Sequence, residues 1–324
     1  MRILIIGGAG MVGRKLAERL AKDGHLGKTD VSHLTLQDVV AAQTPAGANF
    51  PVEIVTGDLS DPTTAPKLVA SKPDVIFHLA AIVSGEAEVE FDKGYRINMD
   101  GTRYLLEAVR HAGHKPRLVF TSSIAVFGAP FPDKIGDEFF TTPLTSYSTQ
   151  KAIGELLLAD YTRKGFLDGV GIRLPTICVR PGKPNKAASG FFSNIIREPL
   201  AGLEANLPVA EHVRHWHASP RSAVGFLIHA ATIDTSKIGP RRNLSMPGLS
   251  VTVGEQIAAL SKIGGNKVVS RIKRELDPAI VKIVDGWPRN LETKRAESLG
   301  FKAESSFEEI IRIHIDDELD GKIA

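Results

Sequence analysis

Tyr147 and Lys151 stand four residues apart in Tyr-Ser-Thr-Gln-Lys, a spacing that puts both side chains on one face of a helix. A phenol with a pKa near ~10 is a poor base at neutral pH. A neighbouring ammonium favours the phenolate, and a cationic cofactor ring acts in the same direction. Such a pair can take the proton of an alcohol while hydride leaves the carbon. Upstream, Thr121-Ser122-Ser123 closes an apolar run, where a serine hydroxyl can hydrogen-bond the reacting oxygen.

The hydride needs an acceptor, and the N-terminal residues describe a place for one. Gly7-Gly-Ala-Gly10-Met11-Val12-Gly13 follows the apolar Met1-Arg-Ile-Leu-Ile-Ile6 and opens the helical pattern Leu16–Leu20. Glycine permits the tight turn, lets the backbone approach a pyrophosphate and allows close helix–strand packing. Gly7, Gly10, Met11, Val12 and Gly13 are the phosphate-side residues expected, with the N–H groups of the helix start as donors. Asp38 ends the second strand pattern, where a carboxylate accepts from ribose hydroxyls and repels a 2′-phosphate, so NAD is expected over NADP. Its distance from the glycines exceeds the usual spacing, and His25–Ser32 reads as the loop insertion responsible. Arg14 and Lys15 keep NADP open.

These groups need a scaffold, and the chain's rhythm supplies it. Short apolar runs alternate with helical patterns, the signature of a parallel sheet covered by helices. Strands are expected at Arg2–Gly7, His33–Gln37, Val52–Thr56, Asp74–Leu79, Arg117–Ser122 and Gly171–Cys178, with helices beginning near Met11, Asp61, Phe91 and Ser146. Val75-Ile-Phe and Leu118-Val-Phe suit strands buried on both faces. After Pro181 the rhythm changes: a loop to Asn185, a helix around Phe191–Ala201, an extended Leu207–His217 and a helical Pro220–Thr232. Thr252-Val-Gly-Glu255 has capping-box spacing, and Ser306–Leu319 reads as a final amphipathic helix. The expected fold is an α/β doubly wound parallel sheet with a smaller C-terminal substrate-binding lobe. Residues 1–180 form the dinucleotide-binding domain, with later segments returning to it, and 181–324 mainly the lobe.

Composition excludes several classes. With 324 residues, 43% hydrophobic and 24% charged, the chain reads as a soluble globular protein. A net charge of +3 with dispersed basic residues does not suggest nucleic acid as a partner. The single cysteine, Cys178, lies in an apolar run, cannot form an internal disulfide and fits a reducing compartment. The first apolar run is too short for a signal peptide and none approaches a membrane span, so the expectation is cytoplasmic. His215 and His217 lack a further ligand cluster and read as packing or hydrogen-bonding residues, with no metal expected.

Together these motifs resemble the extended short-chain dehydrogenases/reductases, a superfamily with a Rossmann-like fold that includes nucleotide-sugar epimerases and dehydratases. The similarity spans nearly the whole chain. Gly57-Asp58-Leu59 resembles the adenine-side motif and His78-Leu79-Ala80-Ala81 the fourth-strand motif. The resemblance implies that Asn98 is a structural or proton-relay asparagine, that Ser123 is the catalytic hydroxyl with Ser122 beside the cofactor, and that Pro175 and Thr176 contact the nicotinamide carboxamide. Dehydratases of the superfamily carry an acidic pair after that hydroxyl, whereas this chain has Ile124 and Ala125. Phe127–Pro132, Arg180–Asn185 with Ser189–Phe192, and Trp216–Arg221 resemble NAD-dependent dehydrogenases of four-carbon sugar acids, which implies oxidation at C2 to a 2-oxo acid. Arg180, Lys183 and Asn185 are then candidates for the substrate carboxylate and Ser84 for its hydroxyls, although the same charges suit a sugar-nucleotide pyrophosphate. A nucleotide-sugar epimerase is the alternative, and a non-catalytic cofactor-binding regulator the lesser one. Related enzymes form homodimers through helices here near Phe91–His111 and Ser146–Lys164. Consecutive Leu156, Leu157 and Leu158 carry more apolar surface than one core stripe needs.

Overall fold

The computed structural model describes residues 1–182 and 188–324. Lys183 and Asn185, two of the candidate substrate residues, lie outside the described residues. The chain divides into two units, the first made of residues 1–126, 145–174 and 224–245, the second of 127–144, 175–223 and 246–324.

The first unit is built on seven strands: β1 (Arg2–Ile6), β2 (His33–Asp38), β3 (Val52–Thr56), β4 (Val75–His78), β5 (Arg117–Ser123), β6 (Asp168–Leu174) and β7 (Asn243–Ser245). They are all parallel, in the spatial order β7-β6-β5-β4-β1-β2-β3. The order reverses between β1 and β4, the switch point at which open α/β sheets bind ligands beyond the strand ends. Four of five β1 residues and all of β4 are buried, as central parallel strands require. Helices cover the sheet: α1 (Met11–Asp23), α2 (Thr64–Val69), α3 (Gly101–Ala112) and α4 (Ser146–Arg163). On one face Leu105, Leu106 and Val109 of α3, Leu68 of α2 and Leu158 of α4 pack on Leu4, Ile6, Ile76, Leu118 and Phe120.

Most expected elements are present, with informative shifts. The sixth strand runs Asp168–Leu174 instead of Gly171–Cys178. Pro175 has no N–H to continue the ladder, and Thr176–Ile177 instead pair with His217 and Ala218 in a different sheet. The expected insertion is a small hairpin, His25–Leu26 with Thr29–Asp30. The helix expected from Phe91 contains a π-helical turn at Tyr95–Asp100 before α3. In the second unit the three-stranded sheet is Leu249–Thr252, Arg214–Ala218 and Thr176–Ile177. Thr252 and Glu255 form the full capping box, and Ser306 caps the final helix, Phe307–Glu318. Ala205–Leu207 with Ile272–Arg274, and the helix Pro278–Asp285 capped by Asp277, were not anticipated.

Two ionic groups tie the strands of the first unit together. At the sheet's N-terminal edge Arg117 donates from Nε and Nη2 to Asp168, while Nη1 meets the carbonyls of Ala230, Ala231 and Ile233. At the opposite edge Glu155 of α4 receives Arg173 of β6 through Nε and Nη2 at 2.9 and 2.7 Å, and the Ser122 hydroxyl of β5 at 2.5 Å. Both members of the Glu155–Arg173 pair are buried or nearly so. Removing one partner of a buried pair strands the other charge. Glu155→Ala is therefore expected to cost about 3–5 kcal/mol of unfolding free energy, read by denaturant titration at neutral pH. A loss under about 1 kcal/mol, typical of exposed pairs, would contradict this account of the sheet edge.

Candidate active site

Strand β1 ends in a turn that only glycine fits at two positions. Gly7 has φ of +93°, and a Cβ there would lie 2.7 Å from the Ala80 backbone nitrogen. At Gly13 a Cβ would lie 2.2 Å from the Gly7 carbonyl oxygen, so the first turn of α1 sits directly on the glycine turn. The N–H groups of Gly7 and Gly8 donate to the Gln37 carbonyl at 2.8 and 2.9 Å, pinning the turn to β2. The N-cap of α1 is Gly10, with no side-chain cap and no acidic residue in the first turn. The helix start thus keeps its amide donors for an anion, and the residues fit a pyrophosphate.

Asp38, at the end of β2, accepts from Ala9 N at 3.0 Å and Val39 N at 2.7 Å. Its carboxylate is thus fixed beside the glycine turn while remaining partly exposed. Asp58 accepts from the Ser60 amide and hydroxyl and lies 3.7 Å from Arg96, next to the buried Leu59. Leu79 and Ala80 follow β4, both amides donating to the Ile6 carbonyl, and their backbone forms the wall met by Gly7. Ala81 is half-buried beside them and Ser84 opens a short helix, Ser84–Val89.

The proton-handling residues converge at the end of β5. Thr145 caps α4, accepting from Ser148 N, which places Tyr147 in the first turn and Lys151 one turn later. Lys151 Nζ donates to the Thr121 carbonyl at 2.8 Å and lies 5.0 Å from the Phe120 ring centroid and 5.8 Å from that of Tyr147. The residue is 4% exposed. Burial pushes its pKa down to about 8, opposed by the Glu155 carboxylate. Ser123 is partly exposed at the strand's last position, its hydroxyl accepting from Ala125 N at 3.1 Å. Ser122 is buried and donates to Glu155.

Asn98 lies in the π-helical turn, with its side-chain amide committed on both sides. Its Oδ1 accepts from Ile82 N at 2.9 Å, and its Nδ2 donates to the Ile82 carbonyl at 3.2 Å and Gln150 Oε1 at 2.8 Å. Its backbone carbonyl accepts from Thr102, whose hydroxyl oxygen in turn receives His78 Nε2–H. His78 is buried and held neutral, its pKa pushed to about 3 by burial with Lys151 adding to the effect. Gln150 and Glu155 are the residues that motif reading overlooked. Their signal was position: one precedes Lys151 and the other follows it by a turn on the same face.

The second unit holds the remaining candidates. Pro175 is buried, and Thr176 meets His215 Nε2 at 2.7 Å. Arg180 donates to the Ile177 carbonyl at 3.0 Å and Ser189 Oγ at 2.6 Å, so its guanidinium links Ile177 to Ser189. Cys178 is buried, its thiol pushed up to about 12 chiefly by burial, which removes the thiolate needed for nucleophilic chemistry. His215 and His217 pack with Phe192. Among the described residues no group of three or more His, Cys, Asp or Glu is placed to hold a metal.

Comparison with known proteins agrees with this fold. The model of the NAD dependent epimerase/dehydratase family matches residues 3–217. D-erythronate dehydrogenase of Cupriavidus necator is 47% identical over 98% of both chains. D-erythronate dehydrogenase of Haemophilus influenzae is 42% identical over 98% of this chain and 99% of the relative. A crystal structure of a nucleoside-diphosphate-sugar epimerase from Agrobacterium tumefaciens has a TM-score of 0.98 and 67% identity, covering 100% of this chain and 96% of that one. L-threonine dehydrogenase from Clostridium difficile shares the fold, with a TM-score of 0.85 at 22% identity over 100% and 99% of the two chains. A glycine turn at the sheet's switch point, a buried lysine one turn from a tyrosine and a match over residues 3–217 lead to one assignment: the chain belongs to the NAD dependent epimerase/dehydratase family, within the extended short-chain dehydrogenases/reductases.

Proposed function

We propose that the protein oxidises the C2 hydroxyl of a small sugar acid, D-erythronate foremost, to 2-oxo-tetronate with NAD. The observation that carries the chemistry is the buried Lys151 beside Tyr147. The substrate is narrowed by two near-full-length relatives named D-erythronate dehydrogenase. When bound, NAD supplies the electrophilic carbon that accepts the hydride. Tyr147 accepts the alcohol proton at its phenolic oxygen, and Ser123 Oγ hydrogen-bonds the same substrate oxygen. Lys151 has three ammonium donors, of which Thr121 takes one, leaving others for a ribose hydroxyl and for charge stabilisation of Tyr147. Gly7, Gly10, Met11, Val12 and Gly13 hold the pyrophosphate. Asp38 takes the adenosine ribose, Asp58 and Leu59 the adenine side, and Leu79, Ala80, Ala81, Ser122, Pro175 and Thr176 the rest of the dinucleotide. Asn98 clamps the Ile82 backbone to α4 through Gln150. Arg180 pairs with the substrate carboxylate and Ser84 with a hydroxyl, assisted by Lys183 and Asn185.

The reaction belongs to the cytoplasm, which suits the single buried cysteine; no helix among the described residues is long and apolar enough to cross a membrane. Epimerisation of a nucleotide sugar is the competing reading, supported by the name of the Agrobacterium structure. An epimerase returns the hydride to its substrate and retains its cofactor, whereas a dehydrogenase releases NADH. A dehydratase is disfavoured because Ile124, buried in the turn after β5, and Ala125 carry neither acid nor base.

The deciding experiment mixes purified protein, added NAD and D-erythronate and follows NADH absorbance. Accumulation of NADH over many turnovers is expected. UDP-sugar interconversion without net NADH would transfer the assignment to the epimerase. In the same assay Tyr147→Phe is expected to lower turnover by about 10²–10⁴ with NAD binding largely kept, and near-normal turnover would remove Tyr147 from its role.

Asp38→Ala is expected to weaken NAD and narrow the gap to NADP, because a ribose hydrogen bond and a repulsive charge disappear together. A wild-type kcat/KM higher for NADP than NAD would show that Asp38 does not select the cofactor.

A homodimer through the helical segments near Phe91–His111 and Ser146–Lys164 completes the proposal. Leu158 is buried and Leu157 packs at the core's edge, but Leu156 on the same helix is 71% exposed. Light scattering at micromolar concentration is expected to give twice the 34.9 kDa chain mass, falling to one chain in Leu156→Arg. A monomeric wild type would contradict the assembly.

A further inference from the structure

His215 lies on the strand Arg214–Ala218 and is 2% exposed. Its Nδ1 is 2.8 Å from the Pro288 carbonyl oxygen, and its Nε2 is 2.7 Å from Thr176 Oγ1. A carbonyl can only accept, so Nδ1 carries a hydrogen. The ring is neutral, since burial pushes its pKa down to about 4 against the pull of the Pro288 carbonyl, with the Arg180 guanidinium adding to the depression. A neutral imidazole protonated at Nδ1 presents a bare lone pair at Nε2. The Thr176 hydroxyl must therefore donate its one hydrogen to His215.

Neither partner has an easy alternative. The His215 ring stacks on Phe192, with centroids 5.2 Å apart and planes within 4°, and lies 5.3 Å from the Trp287 ring. Thr176 is fixed by its parallel pairing with His217, yet its side chain is only half-buried. A hydroxyl whose hydrogen is committed can only accept from any further partner.

We propose that His215 is a positioning residue that makes the Thr176 hydroxyl an acceptor-only group, and that this group takes a hydrogen bond from the carboxamide NH2 of the nicotinamide. The proposal rests on the cofactor reading given above for Thr176. A carboxamide has one donor side and one acceptor side, so an acceptor-only partner selects the orientation with NH2 toward Thr176. It also discriminates against a cofactor that lacks the N–H. The shared chemistry is a ligand hydrogen-bond donor, and a substrate hydroxyl is the other possible source of one.

The test compares NAD with 3-acetylpyridine adenine dinucleotide, whose methyl ketone keeps the carbonyl but has no N–H. Steady-state kcat/KM and calorimetric binding are measured for both dinucleotides in the wild type, Thr176→Val, Thr176→Ser and His215→Leu. Thr176→Val is expected to lose about 5–10-fold with NAD, the worth of one neutral hydrogen bond, and to change little with the analogue. Thr176→Ser is expected to keep the wild-type ratio between the two. His215→Leu frees the hydroxyl to rotate and donate, so the preference for NAD over the analogue is expected to shrink by a similar factor. Equal losses with both dinucleotides in Thr176→Val, or an unchanged ratio in a folded His215→Leu, would overturn the proposal. So would an effect of Thr176→Val confined to KM for the acid, which would assign the hydroxyl to substrate. Discrimination seen in calorimetry without any turnover would defeat the dehydrogenase reading and leave this one standing; binding of neither dinucleotide would defeat both.

Discussion

Removing an ammonium from water costs several kcal/mol unless fixed partners replace its hydration, and Lys151 is almost fully removed from water. The architecture around it reads as the answer to that cost. The carbonyl of Thr121 at the end of β5 accepts one N–H, the Phe120 ring offers its face, and Glu155 sits one turn further along α4. Glu155 is itself shared with Arg173 and Ser122, so the charge balance of the centre runs through two strands and one helix. The remaining penalty, a pKa lowered from 10.5 to about 8, corresponds to roughly 3 kcal/mol in favour of the neutral amine. The sign follows from the depressed value. The folded state is penalised below pH 8, where Lys151 is charged, and gains relative stability as pH rises from about 8 towards 10.5, because it releases its proton before the unfolded chain does. A protein gains nothing in stability by retaining such a group, which is the reason to look for its purpose in chemistry.

The other half of the site depends on absence of side-chain volume. The helix α1 approaches the strand so closely that a Cβ on Gly13 would collide with the Gly7 carbonyl, and the same closeness brings the helix's amide donors to the sheet's switch point. The Gln37 carbonyl and the Asp38 carboxylate grip the successive amides of Gly7, Gly8 and Ala9 from β2. Turn, strand end and helix start therefore form one rigid cradle. Asn98 does comparable work on the other side of the crossover, stitching Ile82 to α4 through Gln150.

Local pattern revealed the parts whose physics is local. The glycine turn, the one-turn spacing of Tyr147 and Lys151, the Thr252 capping box and the Ser306 cap each depend on a few neighbouring residues, and each is present. Most of what sequence did not reveal depends on tertiary neighbours. The sixth strand was displaced because apolarity continues past Pro175 while pairing changes sheet there. The Ala205–Leu207 and Ile272–Arg274 pairing joins residues far apart in the chain, with only three residues a side to signal it. Asp277-Pro278 was a legible helix start that was overlooked. Arg180 reads as a free cation in sequence, but among the described residues its guanidinium donates to the Ile177 carbonyl and the Ser189 hydroxyl. The same limit hid the His215–Thr176 contact, since a committed hydroxyl is invisible until its neighbours are known.

The claim that a desolvated Lys151 ammonium organises the centre can be tested directly by following its ε-carbon shift in an NMR pH titration of the cofactor-free protein, with Lys151→Met to assign the signal. The account predicts one lysine titrating at about 8, missing from the variant. A Lys151 midpoint at the ordinary value of ~10.4 would contradict it, because the ammonium would then be as well solvated in the folded protein as in water.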